Sequence, residues 1–494
     1  MEIARQALTV RRDAGNLRAA SRIAFAAAAL EQAHEWAAEL QAQDADIAGD
    51  QALLLAIAER RSVLARLHRP TGQRVEEPVS RRVLCMLAFS LPYTSNGYAT
   101  RSHGLLSAVA TRGWDVRPCT RPGYPGDSDS AFAGQSLPPH DIVGGLRYER
   151  LFQASRRRLG QFSYVDAAAD EIRQLLADER PQLVHAASNY MTALPACLAA
   201  REVGLPFVYE VRGFWDVTRI SSDPTFEHST ECRFLRLFER ELLQKADAVI
   251  TLTLAMKAEL VRRGADESRI VVAPNAVDID ALQPAERDES LARELGLVPG
   301  IPVIGYAGSF VDYEGLDDLV VAFALLRAAG TQAQLLLVGD GLALPTVERR
   351  IAERGLQAHV KLTGRVPHSD IARYYALMDV CPFPRKPWPV CELVSPLKPF
   401  EAMALGKAVL VSSVAAMAES IEEGVNGHVF AKGDVAALAL SLKQLLGEPQ
   451  AARVLGLSAR EWVSTHRGWQ QSAVAVERAY QVAAGYWTAA GHGR

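Results

Sequence analysis

The sequence predicts an α/β protein made of two doubly wound parallel-sheet units in series, preceded by a purely helical segment. Three observations carry this prediction. From residue 82 onward, short apolar runs alternate with helical stretches, the pattern of parallel strands joined by crossover helices. The alternation runs through twice, with Pro-Asn-Ala-Val-Asp at 274–278 between the two passes. The length of 494 residues exceeds a single core and, at roughly 100–200 residues per domain, implies two domains and an extra piece.

Residues 1–68 carry no strand signal and are rich in Ala, Leu, Glu, Gln and Arg. Leu17, Ala20, Ile23, Ala24, Ala27, Leu30, Trp36 and Leu40 fall near helical spacing, and a break at 44–50 precedes a second helix at 51–67. The expectation is a helical hairpin whose small Ala face permits close packing. It could cover the next domain, bind a second subunit or touch a membrane surface. Residues 69–81, with Pro70, Gly72 and Pro78, read as a linker.

The first α/β unit is expected over residues 82–278. It opens with a strand at 83–88, a loop at 90–100, a helix at 101–112 and a strand at 114–118. The loop contains Asn96 and Gly97 at the C-terminal end of the first strand, where such sheets place ligands. This makes it a candidate acceptor or phosphate loop. After a turn-rich, irregular stretch at 121–145 come helices near 164–178, 191–203 and 231–245 and strands at 183–186, 206–211 and 248–252. The second unit, residues 279–468, is expected to place strands at 302–306, 334–338, 360–362, 380–383, 408–411 and 427–429, with a Gly-containing loop at 307–315. Residues 469–494 form a last helix. Two such units in sequence imply a cleft faced by both sets of strand ends.

Composition narrows the function. A net charge of −3 argues against a dedicated nucleic-acid binder. No apolar run approaches the roughly 18 residues of a transmembrane helix, and the N-terminus lacks the pattern of a signal peptide. The six cysteines show no metal-ligand spacing, and buried thiols in a reducing cytoplasm are expected. The expected location is therefore cytoplasmic, with peripheral contact at the inner membrane face as an option. The acid pairs Asp127/Asp129 and Asp278/Asp280 fall in a turn and a hinge and are not read as metal ligands.

The chemistry concentrates at 394–406, Val-Ser-Pro-Leu-Lys-Pro-Phe-Glu-Ala-Met-Ala-Leu-Gly. Ser395 and Pro396 can open a helix, Pro399 fits its first turn, and Gly406 can close it. Lys398 at such a start suits an anion, and Glu401 one turn on could accept hydrogen bonds from a ribose diol. Together they suggest a nucleotide; the alternative is a capped surface helix with a chance Lys/Glu pair.

Four ordered segments resemble glycosyltransferase family 4, of the two-Rossmann-domain architecture called GT-B. They are Ala246 to Lys257 with Pro274-Asn275-Ala276-Val277-Asp278; Gly305-Tyr306-Ala307-Gly308-Ser309 through Leu316; Val338-Gly339-Asp340-Gly341 with Gly364-Arg365-Val366-Pro367; and Pro399 to Gly406. The set spans about residues 82–480. The resemblance implies that the C-terminal domain holds a nucleotide sugar and the N-terminal domain presents an acceptor. Glu401 would take the ribose hydroxyls, Gly364, Arg365 and Val366 would lie by the base, and the Gly308-Ser309 loop would approach the diphosphate, with Pro396, Leu397 and Lys398 alongside. The last helix would cross back to the N-terminal domain.

The departures from the family pattern are specific. Ser309 and Glu314 stand where the family often carries an arginine and a lysine; a glutamate beside a diphosphate would repel it, so either the loop turns Glu314 away or the cation comes from elsewhere, with Lys398 and Arg212 as the candidates. Leu393 stands where the first glutamate of a spaced pair is usual. Glu392, one residue off, is a tentative donor-sugar residue. Arg212 follows a strand where relatives commonly carry a histidine; its alternative is an ion pair with Glu210 or Asp216. His185 is either a pocket residue or a core histidine. The cluster Arg156-Arg157-Arg158 is a solvated face or, alternatively, a contact to anionic lipid or acceptor phosphate.

The resemblance implies a retaining transfer from a nucleotide diphosphate sugar, UDP-linked before GDP-linked, to a hydroxyl of a glycan, lipid-linked or small-molecule acceptor. Lys398, Arg212 and His185 are the expected catalytic residues. No cofactor or metal is expected; the nucleotide sugar is a co-substrate. The alternatives are a UDP-sugar epimerase of related fold and a catalytically weak nucleotide-sugar-binding protein. Expected partners are the donor and acceptor, no nucleic acid, an optional membrane surface and an optional second copy through the N-terminal hairpin.

Overall fold

A computed structural model describes residues 1–43, 48–72 and 77–490. The chain divides into two compact units. The first comprises Met1–Thr251, Glu259–Val271 and Ala475–Arg494, and the second Leu252–Ala258 and Val272–Val474.

The first unit begins with four helices rather than a hairpin: α1 (Glu2–Val10), α2 (Ala14–Ala26), α3 (Leu30–Ala42) and α4 (Gln51–Leu67). Two breaks among helix-forming residues separate the first three. Asp13 caps α2 by accepting from Asn16 N–H, and Ala28 turns the chain with a left-handed φ of 57°. Neither break uses Gly or Pro, so the Ala-rich run hid them. Leu8, Leu17, Ala24, Trp36, Leu40 and Ile57 form the core of this layer. The layer packs on its own unit: Arg66 of α4 pairs with Asp166, Asp170 and Glu202 at 3.0, 2.8 and 2.6 Å, and Phe25 meets Phe234 at 4.9 Å between ring centroids. Of the expected linker, residues 73–76 lie outside the described residues. Gly72 N–H donates to Arg201 O, which ties that end to the unit.

The sheet of the first unit has eight strands: β1 (Arg82–Leu87), β2 (Asp115–Thr120), β3 (His140–Val143), β4 (Leu146–Glu149), β5 (Leu183–Ala187), β6 (Phe207–Glu210), β7 (Ala248–Thr251) and β8 (Ile270–Val272). Their order is β3-β4-β2-β1-β5-β6-β7-β8. The pairs β1/β2, β1/β5, β5/β6 and β6/β7 are parallel, so the chain winds outward from β1 in both directions. At the end of the stretch expected to be irregular, β3 forms an antiparallel hairpin with β4, just beyond it, across Gly144 and Gly145, both at positive φ. The edge strand β3 has no buried residue, so it gave no hydrophobic signal.

The second unit has six strands: β9 (Val303–Ala307), β10 (Gln334–Val338), β11 (Val360–Leu362), β12 (Val380–Phe383), β13 (Ala408–Ser412) and β14 (His428–Phe430). They run in the order β11-β10-β9-β12-β13-β14, parallel throughout. Every residue of β9, β10, β12 and β13 is buried. Strands covered on both faces read as continuous apolar runs, which is why these strands stand out in the sequence. The last helix, Trp469–Ala489, starts in the second unit and ends in the first. Among the described residues, no helix is long and apolar enough to cross a membrane, and all six cysteines are buried and free.

Candidate donor site and a buried charge network

The helix bearing Lys398 and Glu401 is shorter than expected. It spans Lys398–Ala404, with Pro399 in its first turn and no side-chain cap. Gly406 follows it at φ +71°, the left-handed closure that the sequence predicted. Ser395 and Pro396 lie before the helix, and Ser395 O instead accepts from Asn275 Nδ2 at 2.7 Å. Seven residues make a weak helix dipole, so any anion site here must rest on side chains.

Those side chains form a compact charge cluster. The Lys398 ammonium donates to the Tyr306 hydroxyl at 2.7 Å and lies 3.1 Å from Glu314 Oε1. Glu314, only 3% exposed, also meets the Arg385 guanidinium at 3.3 Å. Burial alone would raise the Glu314 pKa, but Lys398 and Arg385 hold it below the usual glutamate value. Burial lowers the pKa of Lys398 against the opposing pull of Glu314. The glutamate expected to repel a diphosphate is therefore neutralised by two cations. Arg385 was missed in the sequence. The available signal was its place two residues after β12, past a strand's C-terminal end.

Backbone close approach assembles the cluster. Gly308, at φ +144°, lies against Lys398. A Cβ there would sit 2.3 Å from Lys398 Cε, so any larger residue would displace the lysine. Gly315, at φ +73°, lets the loop after β9 pack on the loop after β12, since its Cβ would fall 2.0 Å from Pro384 O. Ser309 contributes its carbonyl, 3.5 Å from Lys398 Nζ. Gly364 O accepts from Gly339 N–H at 2.9 Å, which holds the end of β11 beside that of β10. Arg365 is 80% exposed and 3.8 Å from Asp340. Val366, Pro396, Leu397 and Glu401 are half-buried. The structure thus brings Gly308, Ser309 and Lys398 together, with Glu401 one turn further along the same helix.

Glu392 is engaged elsewhere. Its two oxygens take Ala415 N–H at 2.9 Å and the Lys432 ammonium at 2.5 Å. This carboxylate starts the short helix Ala415–Ala418 rather than standing open for a sugar.

In the first unit, two expected catalytic residues belong to a sealed network. Glu210 at the end of β6 is 0% exposed. It pairs with Arg101 at 2.8 Å and with Arg212 at 2.6 Å. Burial would raise its pKa, but the two guanidinium groups hold it well below the glutamate range. Arg212 also donates to Tyr98 O at 3.1 Å and to Ser102 Oγ at 2.7 Å, and it lies over the Tyr98 ring. It is therefore corrected from a free diphosphate cation to the partner of Glu210 that pins the start of the helix Gly97–Thr111. His185 is likewise corrected to a core residue. Its Nδ1 meets the Tyr480 hydroxyl at 2.9 Å, and its Nε2 lies 3.4 Å from Glu210. Asn96 caps the same helix by accepting from Ala99 N–H at 3.0 Å. Gly97 is its first residue, and both are exposed.

Residues 96–276 match the model of the glycosyl transferase 4-like domain, and residues 301–448 match that of glycosyl transferases group 1. The chain is 30% identical over 298 residues to the 2-deoxystreptamine glucosyltransferase of Streptomyces kanamyceticus, covering 59% of this chain and 74% of that protein. It is 23% identical over 406 residues to a glycogen synthase of Mycobacterium tuberculosis, covering 79% and 92%. Sucrose-phosphate synthase from Thermosynechococcus elongatus shares its fold, with a TM-score of 0.66, 22% identity and coverage of 81% and 98%. So does Anabaena HepE, solved in complex with UDP, with a TM-score of 0.61, 18% identity and coverage of 81% and 99%. The fold and the paired domains define a glycosyltransferase. The chain belongs to the GT-B glycosyltransferases of family 4.

Proposed function

We propose that this enzyme transfers a sugar from a UDP-sugar, or secondarily a GDP-sugar, to a hydroxyl of a glycan, lipid-linked or small-molecule acceptor, with retention at the anomeric carbon. The observation that carries this reading is the Lys398–Glu314–Arg385 cluster packed against Gly308. It gathers two cations around one buried carboxylate at strand ends, where a diphosphate leaving group would need them. In this scheme, Lys398 and the backbone of Gly308 and Ser309 hold the diphosphate. Glu401 accepts from the ribose diol, while Gly364, Arg365 and Val366 flank the base, with Pro396 and Leu397 beside them. The chemistry is leaving-group stabilisation and positioning by side chains, without a metal or cofactor. The first unit presents the acceptor near Asn96 and Gly97, with Arg212 positioning that segment through Tyr98 and Ser102.

The relatives support either base. One is a GDP-mannose-dependent mannosyltransferase, 27% identical over 199 residues, while HepE binds UDP. A thermal-shift panel of UDP-glucose, UDP-N-acetylglucosamine and GDP-mannose tests the assignment. A UDP-sugar at a hundred times its Kd stabilises by about 2.7 kcal/mol, and Glu401→Ala loses that shift. Stabilisation by GDP-mannose alone reverses the choice of base. No shift with any of them contradicts the donor site.

A further inference from the structure

The loops after β2 and β4 line a recess of about 590 Å3 in the first unit that is open to solvent. Its lining includes apolar Phe132, Leu137 and Phe152 together with Arg157 and Arg158. The carboxylate in its lining, Asp127, is already spent. It takes both terminal nitrogens of Arg121 at 2.8 and 2.7 Å and Arg156 N–H at 3.2 Å. Neither Arg157 nor Arg158 has a carboxylate partner among the described residues. The Arg158 guanidinium donates only to Phe152 O, at 3.4 Å. Two exposed guanidinium groups without a carboxylate partner among the described residues therefore share one lining with apolar side chains.

The recess is held from behind. Glu171, buried in the helix Gln161–Glu179, accepts from Gln153 and Ala154 N–H at 3.0 Å each, fixing the segment that leads to the arginines. Phe132 packs edge-on against Tyr93 at 5.0 Å, and Tyr93 belongs to the loop that carries Asn96 and Gly97. The nearby Asp129 is exposed and caps Ala131 N–H. Both loops leave the C-terminal ends of their strands, the side on which such sheets bind ligands.

We infer that this recess binds a phosphate-bearing acceptor, with its phosphate oxygens accepting from Arg157 and Arg158 and its ring or apolar portion lying on Phe132, Leu137 and Phe152. Guanidinium forks match phosphate geometry, and apolar side chains in the same lining select a phosphate that carries a body. The role as acceptor rests on the transferase reading above; the binding site itself does not.

The test uses the full chain with saturating UDP, which occupies the donor site and reports on it separately. Glucose 1-phosphate and glucose are titrated into the parent and into an R157Q/R158Q double variant. In parallel, both proteins are sedimented with phosphatidylcholine vesicles with and without phosphatidic acid. Glucose 1-phosphate should bind, glucose should bind about tenfold more weakly or not at all, and the double variant should lose about tenfold in affinity at unchanged UDP affinity. Binding only to phosphatidic acid vesicles, again lost in the double variant, assigns the phosphate to a lipid-borne acceptor. Equal binding of parent and variant to each probe, or no binding to any, overturns the proposal. Failure of the donor reading shows instead as absent UDP binding.

Discussion

Each unit of this enzyme buries one glutamate between two cations at the C-terminal edge of its sheet, and the two clusters are used differently. In the first unit, Glu210 is fully enclosed with Arg101 and Arg212. All three are buried, and Arg212 is further bound to Tyr98 and Ser102. That cluster ties strands to the start of a helix. In the second unit, Glu314 and Arg385 are equally buried, but the Lys398 side chain keeps 17% of its surface exposed. The same arrangement is thus a structural joint in one unit and a charged surface in the other. The difference lies in how far the second cation reaches solvent: the Arg212 side chain is 7% exposed and the Lys398 side chain 17%.

The largest expected effect comes from breaking the joint. Glu210→Gln leaves two buried guanidinium groups without a counter-charge and should cost about 3–5 kcal/mol in denaturant unfolding. Glu314→Gln should cost about half as much, because Lys398 can turn toward water. Equal losses would erase the contrast between the two clusters.

A second effect sharpens the picture of the first unit. Glu239, buried beside Tyr190 N–H and the Tyr209 hydroxyl, has its pKa pushed up to about 7 by burial. Asp247, which accepts from Phe207 N–H, is pushed up to about 6. Both folded values lie above the unfolded ones near 4.3 and 3.9. The stability they contribute is therefore full at acid pH and is lost as pH rises through the folded values. Between pH 5 and pH 8, Glu239 alone should account for a loss of roughly 2–3 kcal/mol. Glu239→Gln should flatten that slope in unfolding measured across the range. An unchanged slope would mean that Glu239 titrates normally.

Much of this architecture was legible in the sequence. The inner strands of both sheets are buried on two faces and read as plain apolar runs, and Gly308, Ser309 and Lys398, singled out there, lie together. Three things were not legible. The breaks at Asp13 and Ala28 use a side-chain cap and a strained alanine in place of Gly or Pro, so four helices read as two. The edge strand β3 buries nothing and carried no pattern. The pairing of Glu314 with Arg385 and Lys398 links residues far apart in the chain, beyond any local window. Without that pairing Glu314 looked repulsive, and Arg212 looked like a substitute cation.

The central claim is that Lys398, and not the enclosed network around Glu210, meets the donor's diphosphate. Calorimetric titration of UDP into the parent, Lys398→Ala and Glu210→Gln proteins tests it most directly. The account predicts that Lys398→Ala weakens UDP by about tenfold or more, the worth of a charge-assisted contact to phosphate, while Glu210→Gln binds as the parent does wherever it remains folded. Parent-like affinity in Lys398→Ala would contradict it.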